Sequence, residues 1–154
     1  MKILIALDAS APSDRALEFV TRLRWPAGSR VIALTVITPI TEMLGSPMEP
    51  VAVPAGWVEE QERIARASLD AACQTLQSDG FATESRLEFG DPRDVITRIA
   101  REERVDVLVV GSHGRTGLAR VLLGSVSNHV VGHAPCSVLV VKDPAPRPAA
   151  RTEK

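Results

Sequence analysis

The sequence predicts a single α/β domain in which a parallel sheet is covered by helices on both faces. Three observations lead to this fold class. Apolar, β-branched runs of strand length alternate with stretches of helical periodicity along the chain. A length of 154 residues fits one domain, and 45% hydrophobic with 24% charged residues is ordinary globular composition. Connections that each contain a helix favour parallel pairing of the strands.

The first part of the chain predicts a strand, a helix and a second strand. Residues 3–7 are a continuous apolar run, which is typical of a strand buried on both faces. Ser10 and Pro12 then predict a helix cap and a first-turn proline. The helix has an apolar face at the spacing of Ala16, Leu17, Val20 and Leu23. Residues 31–37 predict the second strand.

The middle of the chain predicts a surface loop, a long helix and an edge strand. Residues 38–55 are rich in Pro and Gly without a clear period, so we expect a loop there. Residues 57–77 predict a helix that ends before Gly80. Its expected buried face consists of Ile64, Ala65, Leu69, Ala72 and Leu76. Residues 81–89 alternate with one charged face, which predicts a half-exposed strand at a sheet edge.

The last part predicts one more capped helix and two strands around a glycine-rich loop. Asp91 and Pro92 predict the cap and first turn of the helix. Its apolar positions are Val95, Ile96, Ile99 and Ala100. Residues 107–110 and 138–141 predict the two strands. Residues 143–154 are a polar, Pro- and Ala-rich stretch that we expect to be a disordered tail, so the predicted domain is residues 1–142.

Composition argues against several classes of partner. A net charge of −1 and 3% aromatic residues give neither a basic footprint nor stacking platforms for nucleic acid. No apolar stretch approaches the length of a membrane span or of a signal peptide. Cys73 and Cys136 lack a CxxC spacing and are expected to be reduced thiols. We therefore expect a cytoplasmic protein that binds neither nucleic acid nor membrane.

The loop after the fourth predicted strand has the residue types of a phosphate site. Its glycines follow the pattern G-x2-G-x9-G-S, formed by Gly111, Gly114, Gly124 and Ser125. Glycines let backbone amides approach an anion, and a helix that starts at Gly124 adds unpaired amides and a partial positive charge. The pattern lacks the lysine of a Walker A loop. From the residues alone, an ordinary glycine-rich connection with a Gly-Ser helix cap is an equally good interpretation.

The same pattern resembles the ATP-binding signature of the universal stress protein family. The opening ILIALDASAPSDRAL, the central GDPRDVITRIAREERVDVLVVGSHGRTGL and the closing LLGSVSNHVVGHAPCSVLVVK all resemble that family. The resemblance implies its ATP-binding subgroup, with a five-stranded sheet in the order 3-2-1-4-5 and an adenine nucleotide alpha hydrolase-like fold. It also implies a homodimer that pairs through the last strand, which begins at Ser137 and runs to Lys142. An apolar edge strand there needs a cover on physical grounds as well.

The resemblance carries the family's nucleotide contacts onto specific positions of this chain. The end of the first strand and Val36 would meet the nucleoside, with Val36 reading adenine through its backbone. The glycine-rich segment would surround the ribose and phosphates. The implied contacts are Ala6, Leu7, Asp8, Val36, Val110, Gly111, Gly114, Gly124, Ser125, Val126 and Ser127. One departure is Ala9, which stands where the family often has glycine.

Several polar residues have two interpretations. Asp8 is either a contact to a ribose hydroxyl or to Mg²⁺ on the phosphates of ATP, or a helix-capping aspartate. Arg115 and Arg120 either pair with phosphates or are solvated, and Arg115 is the stronger candidate of the two. His129, His133 and Cys136 have a spacing that zinc can use, but no fourth ligand is near in sequence, so we predict no protein-bound metal.

Three functions of different classes follow. The first is an ATP-binding stress or regulatory protein, whose nucleotide changes its shape or its partner choice. The second is a slow ATP hydrolase or phosphotransferase. The motif lacks a loop lysine, a base and a paired acidic metal site, so we predict no catalytic residues and at most weak ATPase activity. The third is a dimeric adaptor that needs no nucleotide, which the complete glycine pattern argues against.

Overall fold

The computed structural model describes residues 1–39, 55–114 and 123–142. The predicted tail of residues 143–154, most of the predicted 38–55 loop, Arg115 and Arg120 lie outside these ranges. In chain order the described elements are β1 (Lys2–Ala6), α1 (Ala11–Arg22), β2 (Arg30–Ile37), α2 (Trp57–Ser78), β3 (Ala82–Phe89), α3 (Pro92–Glu102), β4 (Val107–Gly111), α4 (Ser125–His133) and β5 (Ser137–Val141).

The five strands form one parallel sheet in the order β3-β2-β1-β4-β5, which confirms the predicted fold. β1 lies at the centre, with β2 on one side and β4 on the other. Strand order therefore reverses between β1 and β4. In open parallel sheets a cleft forms at such a point, outside the carboxyl ends of the two strands.

Two apolar layers hold the helices to the sheet. On one face, Ile3 and Ile5 of β1 pack with residues of α1 and α2. On the other face, Leu4 packs with residues of α3 and α4. All three side chains are fully buried, which agrees with the uninterrupted apolar run of this strand. Among the described helices, none is long and apolar enough to cross a membrane.

The predicted buried face of α2 is wrong at one position. Ala65, Leu69, Ala72 and Leu76 are buried, but Ile64 is 47% exposed. Cys73 is buried in its place, between α2 and the sheet. The first two turns of α2 contribute no buried residue, so Ile64 lies on a part of the helix that the core does not cover. The buried stripe keeps the other four predicted residues and extends to Cys73 on the side opposite Ile64.

β3 is an edge strand of the sheet, as its alternation predicts. The face toward α3 carries Glu84, Arg86 and Glu88. Arg86 bonds Glu84 and, at the carboxyl end of α3, Glu103, while Arg98 of α3 bonds Glu88. Charged residues of this kind discourage the pairing of a further strand with the edge.

Candidate functional site

The first component of the site is the turn that follows β1. The strand ends at Ala6, and the next amide, of Leu7, still donates to Leu34 O at 2.8 Å. Asp8 then turns the chain into α1. Its Oδ1 accepts bonds from the backbone N of Ser10 at 3.1 Å and from Ser10 Oγ at 2.5 Å. Its own amide donates to Oγ of the buried Ser13 at 3.1 Å. Asp8 is therefore part of the support of the α1 cap, Ser10, whose Oγ accepts from Ser13 N.

The backbone conformation of this turn shows why glycine would be favoured at the position that Ala9 occupies. Ala9 has φ = +58°, in the left-handed region that costs a residue with a Cβ about 1–2 kcal/mol. Glycine adopts this conformation without that cost. The turn geometry at Asp8 thus favours glycine at the next position, and this chain holds the same turn with alanine.

The second component is the glycine loop, residues 111–124, of which the structure describes 111–114 and 123–124. A Cβ added to Gly114 would lie 2.8 Å from Oδ2 of Asp8, so the loop backbone lies against the Asp8 carboxylate. A Cβ added to Gly111 would lie 2.9 Å from the backbone C and O of Pro12. Gly111 is thus required by the packing of β4 against the start of α1, whereas Gly114 borders the open cleft.

Buried hydrogen bonds fix the described ends of the glycine loop to each other. The amide of Gly124 donates to Ser112 O at 2.8 Å. The hydroxyl of Ser127 lies 2.9 Å from Gly111 O and 3.0 Å from Ser112 O, and it donates to these carbonyls. Ser112 and Ser127 are each only 3% exposed. The hydroxyl of Ser127 therefore stabilises the loop in the structure, at a position where the resemblance implies a nucleotide contact.

The third component is the amino end of α4. Gly124 is its N-cap and makes no side-chain cap bond, and the first intrahelical bond runs from Asn128 N to Gly124 O. The amides of Ser125, Val126 and Ser127 therefore have no acceptor among the described residues. A Cβ on Gly124 would lie 3.7 Å from Gly114 N. Unpaired amides and the positive end of the helix dipole thus lie next to the glycine loop.

The fourth component is the carboxyl end of β2, which extends past the end of β1. The register between the two strands ends with Ala6 opposite Leu34. Alternate residues of a parallel strand bond to opposite neighbours, and Leu34 bonds toward β1. The N–H and C=O of Val36 therefore point to the same side, beyond the last β1 residue, where no described residue pairs with them.

The fold brings the predicted residues of β1, β4 and α4 together at one cleft, with Val36 at its β2 side. Leu7 and Val110 have buried side chains, so only their backbone can reach a ligand. Arg115 lies outside the described residues. The sequence reasoning missed Ser13 and Ser112, which are buried and bonded to the turn and loop. The signal in the sequence that could have identified them is a small polar residue within an apolar pattern, which indicates a buried hydrogen bond.

The histidines and cysteines lie apart from this cleft, except His113, whose Nδ1 lies 3.1 Å from Ser112 Oγ. The rings of His129 and His133 stack with centroids 4.1 Å apart. Within the three described ranges, no three or more His, Cys, Asp or Glu side chains gather in a way that could hold a metal ion. Cys73 and Cys136 are free thiols, and burial raises the pKa of each.

The fold and cleft define a class of α/β proteins with a glycine loop at the reversal point of a five-stranded parallel sheet. Within this class the chain belongs to the universal stress protein family, whose model matches residues 1–142. It is 32% identical over 142 residues to a putative universal stress protein of Staphylococcus aureus strain USA300, covering 91% of this chain and 82% of that protein. It is 42% identical over 85 residues to universal stress protein Sll1388 of Synechocystis. That match covers 55% of each protein, about half of the relative's length.

Solved structures share the architecture over almost the whole chain. The hypothetical protein MJ0577 is similar with a TM-score of 0.79 and 29% identity, covering 93% of this chain and 96% of that one. A universal stress protein solved in complex with cAMP has a TM-score of 0.64 and 25% identity, covering 92% and 95% of the two chains. The universal stress protein UspA of Lactobacillus plantarum, at 24% identity and a TM-score of 0.73, shows the fold alone.

Proposed function

We propose that this protein binds ATP in the cleft between β1 and β4 and acts as a nucleotide-dependent stress-response or regulatory protein. The observation that carries the proposal is the contact between Gly114 and the Asp8 carboxylate. This contact brings the glycine loop, the turn after β1 and the amino end of α4 to one cleft. The relative solved with cAMP supports an adenine nucleotide as the ligand.

The phosphates have a physical reason to bind at α4. Three adjacent amides, of Ser125, Val126 and Ser127, lack acceptors among the described residues, and the helix dipole adds partial positive charge. Gly114 lies next to the Asp8 carboxylate without a Cβ, so a phosphate can approach the loop backbone closely at this position. Neither a loop lysine nor a basic surface is required for such binding.

Adenine would be read by the backbone of Val36. Its N–H and C=O face past the end of β1, and one donor next to one acceptor complements the edge of adenine. Guanine presents the opposite pattern and would leave buried backbone groups unpaired. We therefore expect clear preference for ATP over GTP, and we expect Val36→Ile to leave affinity nearly unchanged.

Asp8 would contact the ribose, or Mg²⁺ on the phosphates. Its Oδ2 lies toward Gly114, on the side of the carboxylate that faces the glycine loop. A bound magnesium ion would add positive charge beside the phosphates.

A slow ATP hydrolase is the second candidate function. Mass spectrometry can identify the ligand that is released from freshly purified protein. ADP instead of ATP would favour the hydrolase.

The proposal is tested by displacement of a fluorescent ATP analogue. ATP is expected to displace it far better than GTP, and Asp8→Ala is expected to weaken binding about tenfold or more, because a charge-assisted hydrogen bond contributes about 1.5–3 kcal/mol. Ser10→Ala is the matched control, because it removes the same bond within the α1 cap but keeps the charged carboxylate of Asp8. Equal displacement by GTP, or full affinity in Asp8→Ala, would contradict the assigned contacts.

We also propose that two copies pair through β5. This strand is the sheet edge opposite β3, and its Val138 and Leu139 are only half-buried. Since Val141 O bonds toward β4, alternation turns the backbone groups of Val138 and Val140 outward. An apolar edge with unpaired backbone groups is the surface that a second copy can cover by strand pairing.

Exposed apolar side chains on both helical layers extend this surface. α1 packs over β4 and β5, while its Leu17 side faces α2. Phe19 and Leu23 lie on the opposite flank of α1 and are each 40% exposed. On the other layer, Val131 of α4 is 52% exposed. Both helices contact β5, so exposed apolar side chains occur on a helix of each layer that packs against the edge strand.

A further inference from the structure

One residue, Ser112, connects the glycine loop to the edge strand. The amide of Ser112 donates to the carbonyl of Val141, the last residue of β5, at 2.8 Å. The carbonyl of the same residue accepts from Gly124 N at 2.8 Å and from Ser127 Oγ at 3.0 Å. Three bonds thus lead from the first turn of α4 through Ser112 to the end of β5.

The residues in the middle and at the β5 end of this connection are buried. Ser112 and Ser127 are 3% exposed, and Val141 is 9% exposed and packs in the core. Breaking the bond from Ser112 N to Val141 O would leave buried backbone groups unpaired, so it favours movement of Ser112 and Val141 together. The two bonds to Ser112 O in turn favour movement of Ser112 together with the first turn of α4.

We propose that nucleotide binding at the glycine loop and pairing of two copies through β5 strengthen each other. The inference rests on the proposed function and on the proposed dimer. A phosphate bound to the amides of Ser125 to Ser127 would immobilise the first turn of α4, and with it Ser112 and the carboxyl end of β5. Pairing of β5 with a second copy would order the same segment from the other end. The first of the two binding events would lose the conformational entropy of this segment, so the second event would lose less entropy and be more favourable.

The coupling must be reciprocal. Because each dimer would hold two nucleotides, the factor by which saturating ATP lowers the dimer dissociation constant equals the product of the factors by which dimerisation tightens ATP binding at the two sites. Couplings between protein sites are typically about 5- to 150-fold. The path from α4 through Ser112 to Val141 crosses only two hydrogen bonds in series, so we expect a change of about fivefold or more.

The test uses the full chain without substitutions. Sedimentation equilibrium gives the dimer dissociation constant with and without saturating ATP in magnesium buffer. Calorimetry gives the ATP affinity at protein concentrations well below and well above that constant. We expect ATP to lower the dimer constant about fivefold or more, and the dimer to bind ATP more tightly than the monomer by a corresponding factor.

Two Lys substitutions give an independent measurement. Val140→Lys at the β5 edge is expected to be monomeric and to bind ATP with the affinity of the wild-type monomer. Ala82→Lys adds the same charge at the opposite edge, at an exposed position, and is expected to keep the coupling.

The possible failures are distinguishable. ATP binding with a dimer constant unchanged within twofold overturns the coupling and leaves the proposed function intact. A monomer at all concentrations overturns the dimer and the coupling together. No ATP binding at any protein concentration overturns the proposed function, and the coupling with it.

Discussion

At the scale of single residues, two glycines of the loop differ in the kind of atom that lies next to them. Gly111 lies against the backbone of Pro12, whereas Gly114 lies against a side-chain carboxylate. Backbone cannot move away from an added methyl group without shifting α1, but a carboxylate can rotate. Substitution at Gly111 is therefore expected to disturb folding, and substitution at Gly114 to disturb the cleft.

We predict that Gly114→Ala weakens ATP binding while the protein stays folded. The new methyl group would lie 2.8 Å from Oδ2 of Asp8, so the carboxylate must leave its position. A loss of about tenfold in affinity corresponds to about 1.4 kcal/mol. Calorimetry measures it, and circular dichroism checks the fold.

The matched control for this substitution is Gly132→Ala in α4. A Cβ there meets no atom within 4 Å, so affinity should be unchanged, and helix propensity should raise stability by about 0.5–1 kcal/mol. An unchanged ATP affinity in a folded Gly114→Ala variant would remove Gly114 from the site.

The residue types of the site are readable from sequence, but their contacts are not. Asp8, Gly114 and Gly124 could be singled out as candidates because each has a local signal: a strand end, a missing Cβ, a helix start. Ser112 and Ser127 stabilise the loop by hydrogen-bonding to each other, although they are 15 residues apart in the sequence. Such pairs depend on how α4 docks on β4, which no local pattern contains.

At the scale of elements, two helices end with the same motif built on different residues. At α2, Phe81 N donates to Leu76 O, and Gly80 lies between them with φ = +87°. At α3, Val105 N donates to Ala100 O, and Arg104 occupies the same position with φ = +48°. Glycine is favoured at this position because the left-handed conformation is strained for residues with a Cβ.

We predict opposite effects of reciprocal substitutions at these two helix ends. Arg104→Gly is expected to stabilise the protein by about 0.5–1 kcal/mol, and Gly80→Ala to destabilise it by about 1 kcal/mol. A Cβ on Gly80 meets no atom within 4 Å, so the backbone alone causes the loss. Urea unfolding measures both, and effects of the same sign would contradict this account of the helix ends.

Element bounds were predicted to within one or two residues, and the error in α2 has a physical cause. Periodicity identifies which residues share a face, but the sheet decides which part of that face is covered. Ile64 has the right spacing and lies on a part of α2 that the core does not cover. The strand order came only from the family resemblance, because parallel strands of similar composition do not specify their neighbours locally.

A further prediction concerns pH and the end of α3. Lys2 and then Arg86 hydrogen-bond the Glu103 carboxylate and lower the pKa of this carboxyl below its ordinary value. Because the folded-state pKa is lowered, the stabilisation is present above the ordinary carboxyl pKa and is lost as the pH falls through the folded-state value. We expect the stability difference between wild type and Glu103→Gln to shrink between about pH 5 and pH 3. Urea unfolding at several pH values tests this, and a constant difference would contradict it.

At the scale of the whole molecule, the sheet has two unlike edges. β3 is charged and its side chains are paired with α3, while β5 is apolar and only partly buried. The resemblance and the strand pattern together predict pairing through β5. The exposure of Phe19, Leu23 and Val131 could not be predicted, because it depends on which strands each helix covers.

We predict that Val140→Lys yields a monomer under conditions in which the wild type is a dimer, because the lysine places charge in an apolar edge. Light scattering at micromolar concentration measures the change. Ala82→Lys at the β3 edge is the control and should leave the mass unchanged. A dimer that persists in Val140→Lys would rule out pairing through β5.

The difference between the edges also limits how far assembly can proceed. A sheet in which both edge strands can pair with another copy could add copies indefinitely and grow into a fibre. Here a pair joined back to back through β5 would present only β3 strands outward, with Glu84, Arg86 and Glu88 repeated at both ends. A third copy would find no receptive strand, so growth would stop at two. The same charges that blunt one edge would therefore set the stoichiometry and protect a concentrated protein against aggregation.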